Sequence, residues 1–344
     1  MEDPRIFIKW FLLLVLLSLA LFMANLWFGS VLINWGEVLR VLFHPDKSQS
    51  AASVIVNAYR LPQAITALSI GIILSISGLV LQTLFRNPLA GPSVLGISSG
   101  ASLGVALVVL GGSFIHLDIS ALPFLGNLAT IGAAFVGALV VLIIILTVSS
   151  RVGNVITVLI IGIMLGYAVS AVVSVLQFFS RSEDLHAYVL WGLGSFSKTT
   201  VQQSVLLLIT AMAGWGIIGL FAKPLNALIM GENYARSIGI PTRSIQRILI
   251  LLTGLLVAVG TAFTGPIAFL GLAVPHLARA LFKTSQHKIL IPGTAIIGAD
   301  LALLCNLIAK MPGYDTSLPI NAVTSLIGAP VIIWVIIKSR HIKY

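Results

Sequence analysis

Ten stretches of this chain run apolar for about twenty residues each, and nothing else in the sequence limits the fold so strongly. They lie near residues 8–29, 64–84, 94–113, 122–148, 155–178, 200–221, 243–263, 267–282, 288–310 and 319–338. About 20 mostly apolar residues are what a helix needs to cross a bilayer core. Inside that core each backbone N–H and C=O must be satisfied by the chain itself, which a helix does. The expected fold class is therefore an all-α integral membrane protein of about ten transmembrane helices, one domain over 1–344. Composition agrees: 9% of the 344 residues are charged, against about 25% in ordinary soluble domains. So few charges would not keep a soluble surface dissolved, and lipid must cover much of it.

The net charge of +10 does not point to nucleic acid, because the basic residues stand singly at the ends of apolar segments and form no patch. The lone cysteine, Cys305, lies inside an apolar run and reads as a small core residue. The first apolar run exceeds the roughly 7–15 residues of a signal-peptide core and has no small-x-small site before Trp27-Phe28. It is read as the first span.

Charge sets the orientation. With a cytoplasmic N-terminus and ten spans, the cytoplasmic side carries Arg5, Lys9, Arg86, Arg151, Lys223, Arg236, Arg243, Arg247, Arg279, Lys283, Lys288, Lys338, Arg340 and Lys343. The other side carries Arg40, Lys47, Arg60, Arg181, Lys198 and Lys310, so 14 of the 20 basic residues face inward and 6 outward. That bias is what the positive-inside rule requires. Spans seven and eight are separated only by Thr264-Gly265-Pro266, which reads as a tight turn or as a kink in one long helix. Merging them would leave 9 inside against 11 outside. Ten spans with both termini cytoplasmic is the expectation. Small-xxx-small spacing at Gly96, Gly100 and Gly104 predicts close helix packing.

Two segments are not explained by spanning. Between spans two and three, Phe85-Arg86-Asn87-Pro88-Leu89-Ala90-Gly91-Pro92 contains two prolines and a glycine, which forbid continued helix. Irregular backbone near a membrane is tolerated inside protein or beside a watery cavity, so the residues alone leave a gate element and a plain turn both open. The longest cytoplasmic connection, Ala222 to Thr242, is too short and too polar to span. Its pattern predicts two short amphipathic helices, within 224–240, joined at Gly231 and ending at Gly239 with Pro241 as a stop signal. A compact knob of this kind suits docking to another protein. An interfacial helix on lipid is the alternative, and Glu232 and Asn233 would sit poorly against an anionic leaflet.

Asp300 is the one carboxylate well inside a span, and such groups are costly and often functional. Its residues leave open a proton relay and a structural acceptor for nearby Ser, Thr or backbone donors. His276 follows Pro275 in no metal-ligand spacing, so no metal site is expected. No P-loop and no nucleophile–base pair is visible, so the chain is not expected to be an enzyme or to bind ATP itself.

The motifs resemble those of the iron-siderophore, haem and cobalamin ABC importer permeases, the FecCD family. They are Arg60-Leu61-Pro62-Gln63; Ser77-Gly78 with Gln82; Arg86-Asn87-Pro88-Leu89-Ala90; Leu95-Gly96-Ile97-Ser98 with Gly100-Ala101; and Trp191-Gly192 with Gly194-Ser195. Further along stand Gly231-Glu232 with Ala235 and Gly239, the run Gly265 to Leu272, Pro275-His276, Gly298-Ala299-Asp300 and Thr324 to Pro330. The resemblance covers about Arg60 to Pro330. It implies a type II ABC importer permease fold and a homodimer in the inner membrane, with the pathway at the dimer interface. Two cytoplasmic ATPase subunits, which use ATP and Mg, would grip a coupling segment including Asn226, Leu228, Gly231, Glu232, Ala235 and Gly239. Gln82, Asn87, Pro88, Leu89, Asn154 and Thr157 would lie on the pathway or gate. A periplasmic or surface-tethered substrate-binding protein would dock near Arg60 and Lys310. The implied cargo is a ferric siderophore, with haem or cobalamin as alternatives, and no cofactor bound by this chain. The rival from another class is a proton-coupled secondary transporter using Asp300. Departures from the family pattern include Gln63 and Leu304 where relatives often carry arginine, Ser317 where many have Glu, and Asn321 at a common glycine; the 311–316 loop is also longer.

Overall fold

The computed structural model describes residues 4–43, 50–111, 123–152, 155–311 and 317–339. The described residues form fourteen helices, numbered here in chain order, and a short 3-10 turn, Pro92–Leu95, with no strand among them. Seven are long and apolar enough to cross a membrane and three more are shorter apolar helices, which gives the ten read as spans. They are α1 (Pro4–Trp27), α3 (Ala51–Leu84), α4 (Ile97–Val109), α5 (Pro123–Val152), α6 (Val155–Phe179), α8 (Val201–Leu220), α11 (Thr242–Thr264), α12 (Leu270–Phe282), α13 (His287–Ala309) and α14 (Ile320–Ser339). The other four, α2 (Trp35–Phe43), α7 (Ser182–Gly192), α9 (Ala222–Met230) and α10 (Glu232–Ser237), lie in the connections. The expected all-α membrane fold is therefore the observed one.

Spans seven and eight are separate helices. Gly265 leaves α11 at φ +74 and Phe269 enters α12 at φ +67, so the backbone visits the left-handed region twice within five residues and no single helix can run through. At 13 residues, α12 is about 20 Å long, shorter than a bilayer core of about 30 Å. The second span is longer than its hydropathy shows. α3 begins at Ala51 and continues through a π-helical stretch, Ile55–Arg60, before its apolar body.

α3 is the axis of the molecule. It packs against α13, α8, α12 and α11, and 89% of its apolar window is buried, whereas α1 buries 6%. Exposed Leu16, Leu19, Tyr167 and Phe178 would be unfavourable in water and cost nothing against acyl chains. Because lipid removes the hydrophobic drive for helices to associate, close backbone approach must supply the packing. Gly71 does this opposite Gly298, where an added Cβ would lie 2.2 Å from the Gly298 carbonyl oxygen. The predicted Gly96-Gly100-Gly104 series divides its labour. Gly100 and Gly104 face the α5 backbone at Gly137 and Ala133, while Gly96 turns the chain into α4 at φ +72.

Candidate coupling and gating site

At one end of the bundle α9 and α10 form a helical elbow. Gly231 joins them at φ 123 and ψ 152, a conformation open to glycine and strained for other residues. Leu225, Leu228 and Ala235 turn inward and are buried, leaving Met230, Tyr234 and Ile238 exposed. Glu232 pairs with Arg236 at 2.5 Å, and Arg236 Nε also donates to Thr242 Oγ1 at 3.1 Å. Gly239, at φ +84, reverses the chain, and Pro241 stands immediately before α11. Asn226 points the other way, into the bundle. Its Oδ1 accepts from the His287 backbone N–H at 2.8 Å and from His287 Nδ1 at 2.9 Å.

The Pro-rich break lies at this same end, where α3 stops. Arg86 takes φ +47. Asn87 Oδ1 accepts from the Leu89 N–H at 2.9 Å, a local turn that Asn side chains favour. Gln82 is buried just before the break; its Nε2 donates to the Leu272 carbonyl at 3.2 Å and its Oε1 accepts from Arg279 at 2.7 Å. His276 Nε2 lies 2.8 Å from the Pro88 carbonyl oxygen, so α12 holds both sides of the break. Pro88 and Leu89 are exposed. Thr157 is half-buried on α6, the helix that packs on the 3-10 turn following the break. Asn154 lies outside the described residues.

The structure thus brings Asn226, Gln82, Asn87, Pro88 and Leu89 to one end and leaves Glu232 on the outer side of the elbow. Sequence reading missed His287 and Thr83 here, and gave Arg279 no role beyond its charge. A polar residue at each helix end was the available signal, but sequence alone does not say which ends meet.

At the opposite end, Arg60 and Lys310 are 4% and 8% exposed. Arg60 donates to the carbonyls of Leu26, Trp27 (2.6 Å) and Val31, and Lys310 Nζ donates to the Asn25 carbonyl at 2.7 Å. These are largely the carbonyls that a helix C-terminus leaves without partners, where a cation is favoured. Both charges therefore fasten α1 to the bundle, and a docking protein would meet them only if the α1 terminus shifted. Gln63 and Asn306 extend the clamp, Gln63 Nε2 donating to Asn306 Oδ1 at 3.0 Å and Asn306 Nδ2 donating to Asn25 Oδ1 at 2.7 Å. Asp300 accepts from Ser18 of α1; the second buried carboxylate oxygen has no partner among the described residues.

Asn321 also has a definite place. Its Nδ2 donates to the carbonyls of Gly192 (3.2 Å) and Pro266 (2.7 Å), and its Oδ1 accepts from the Ala268 N–H at 3.0 Å. One side chain stitches α7, the 265–269 break and α14 together. Asn321→Ala is expected to lower stability by about 1–2 kcal/mol, the range for losing such bonds at a partly buried site, read as an earlier thermal unfolding midpoint in detergent.

The FecCD transport family matches residues 14–338. The chain belongs to the FecCD transport family. Vitamin B12 import system permease protein BtuC from Shigella boydii is 35% identical over 341 residues, covering 99% of this chain and 98% of that protein. BtuC from Escherichia coli O9:H4 matches at the same identity and coverage. A solved structure described as a metal-chelate type ABC transporter in an inward-facing conformation superposes with a TM-score of 0.82 at 28% identity, over 98% of this chain and all of that one. PsaBC from Streptococcus pneumoniae, in complex with Fab, shares the fold at 17% identity and a TM-score of 0.54, over 87% and 94% of the two chains. The fold of this FecCD family member is the type II ABC importer permease fold.

Proposed function

We propose that this chain is the membrane-spanning subunit of an ATP-driven importer, working as a homodimer with two cytoplasmic ATPase subunits and an external substrate-binding protein. The observation that carries the reading is the elbow of α9 and α10, whose outer side presents Glu232 and whose inner side is hydrogen-bonded to the bundle beside the α3 break. An ATPase pair that moves the elbow would act on the break. The 14-to-6 distribution of basic residues supports a cytoplasmic elbow end and cytoplasmic termini. The cargo is a bulky metal chelate. Vitamin B12 is placed ahead of the ferric siderophore favoured from motifs, because whole-length relatives at 35% identity are named for vitamin B12 import; haem follows.

The test is uptake into vesicles carrying the permease with its ATPase and binding protein, using cyanocobalamin, a ferric siderophore and haem as separate cargoes. ATP-dependent uptake of cyanocobalamin is expected. Uptake driven by a pH gradient without the ATPase would replace this reading with the proton-coupled one. The same assay tests Asp300. Its bond to Ser18 ties α13 to α1, so Asp300→Asn, which keeps an acceptor oxygen, is expected to retain ATP-driven uptake, whereas a proton relay would lose it.

A further inference from the structure

Between the elbow and the break runs a continuous hydrogen-bonded line through three helices. His287, the first residue of α13, is fully buried. Its backbone N–H can only donate, so the Asn226 atom facing it is the amide oxygen, and the Nδ1 that shares this oxygen must carry a proton. The far side of the ring, Nε2, is then the acceptor and lies 2.9 Å from Thr83 Oγ1, whose single proton is shared between it and the Leu79 carbonyl at 3.0 Å; Thr83 is itself buried in the last turn of α3. The line ends where the break begins. The Thr83 carbonyl accepts from the Arg86 N–H at 3.3 Å, and the Gln82 carbonyl accepts from the Asn87 N–H at 3.2 Å. A displacement of Asn226 therefore pulls on the imidazole at one edge, and the opposite edge pulls on the turn from which the break hangs.

We infer that His287 is a positioning residue which, through Asn226 on one side and Thr83 on the other, transmits movement of the α9–α10 elbow to the α3 break. This rests on the importer reading given above. A buried imidazole suits that role because it is rigid and its two nitrogens lie at opposite edges, and close packing transmits displacement with little loss.

Thr83→Val keeps the volume and shape of the side chain while removing the hydroxyl, and Thr83→Ser restores it. His287→Asn places its amide where Nδ1 stood and has no atom at the Nε2 position, so it cuts the line at the same point from the other side. The assay is hydrogen exchange of the full complex with its ATPase, free and trapped with Mg-ATP and vanadate, read at the peptides covering 224–240 and 85–96, alongside ATP hydrolysis and cyanocobalamin uptake.

In the parent complex, trapping is expected to alter exchange at both peptides. In Thr83→Val and in His287→Asn the elbow should still respond and hydrolysis continue, while the response at 85–96 and the uptake per ATP fall about fivefold, equivalent to about 1 kcal/mol, the scale of one hydrogen bond. Thr83→Ser should behave as the parent. If Thr83→Val does not assemble, His287→Asn decides. A response at 85–96 equal to the parent's in either variant overturns the relay. A parent complex in which 224–240 itself ignores trapping overturns the importer reading, and the relay with it.

Discussion

Gly78→Ala is expected to abolish accumulation of the folded protein. A Cβ at position 78 would lie 1.7 Å from the Gly271 carbonyl oxygen and 2.5 Å from its carbon. Both are backbone atoms, so no rotamer change relieves the clash, and α3 and α12 would have to separate. Separation would also break the Gln82 bond to the Leu272 carbonyl, one turn further along. Overpacking that shifts backbone costs about 1–3 kcal/mol or more. Here it falls on the axial helix, against a total stability of about 5–15 kcal/mol. Membrane-extracted Gly78→Ala should elute as aggregate on size exclusion or fail to accumulate. Gly216→Ala is the control: nothing lies within 4 Å of an added Cβ there, and alanine is favoured over glycine in a helix by about 1 kcal/mol. Parent-like elution and melting of Gly78→Ala would show that the α3–α12 seam is looser than its glycine contacts require.

The second large effect concerns partnership. Glu232→Arg is expected to reduce copurification of the ATPase by more than about tenfold while the permease itself remains folded. The side chain's pairing with Arg236 is a partly exposed i, i+4 contact, and such contacts contribute about 0.3–0.5 kcal/mol. Its other contact within the chain is a long bond, 3.5 Å, from the Thr242 hydroxyl, so reversing the charge is expected to disturb the fold little and to act mainly on the partner. The paired measurement is the melting temperature of the isolated permease against recovery of the ATPase in a pull-down. Equal recovery with unchanged melting would remove the elbow from the proposed docking face. A lowered melting temperature with proportionate loss of recovery would mean that Glu232 serves the fold instead.

The elbow and the break were legible in the sequence because each is written in residues whose effect is local. Prolines at 88 and 92 cannot continue a helix, and glycines at 231 and 239 permit backbone angles that other residues resist. Arg60 and Lys310 were legible as charges and opaque as contacts. Their partners are carbonyl oxygens at the end of α1, and a carbonyl leaves no mark on a sequence because every residue has one. The same holds for His276, whose partner is the Pro88 carbonyl, and for Asn321, which holds two carbonyls and an amide.

Apolar length and the spacing of charges by themselves determined that this chain is a helical membrane protein with about ten spans, since both follow from transferring one segment at a time into lipid. The tertiary structure alone decided which helix is the axis, which glycines touch, and that Asn226, His287 and Thr83 form one line although they lie 61 and 204 positions apart. Those are properties of pairs of helices. In a bilayer, where apolar surface gains nothing by leaving lipid for protein, pairs are selected by shape and by hydrogen bonds, and neither is encoded in any single span.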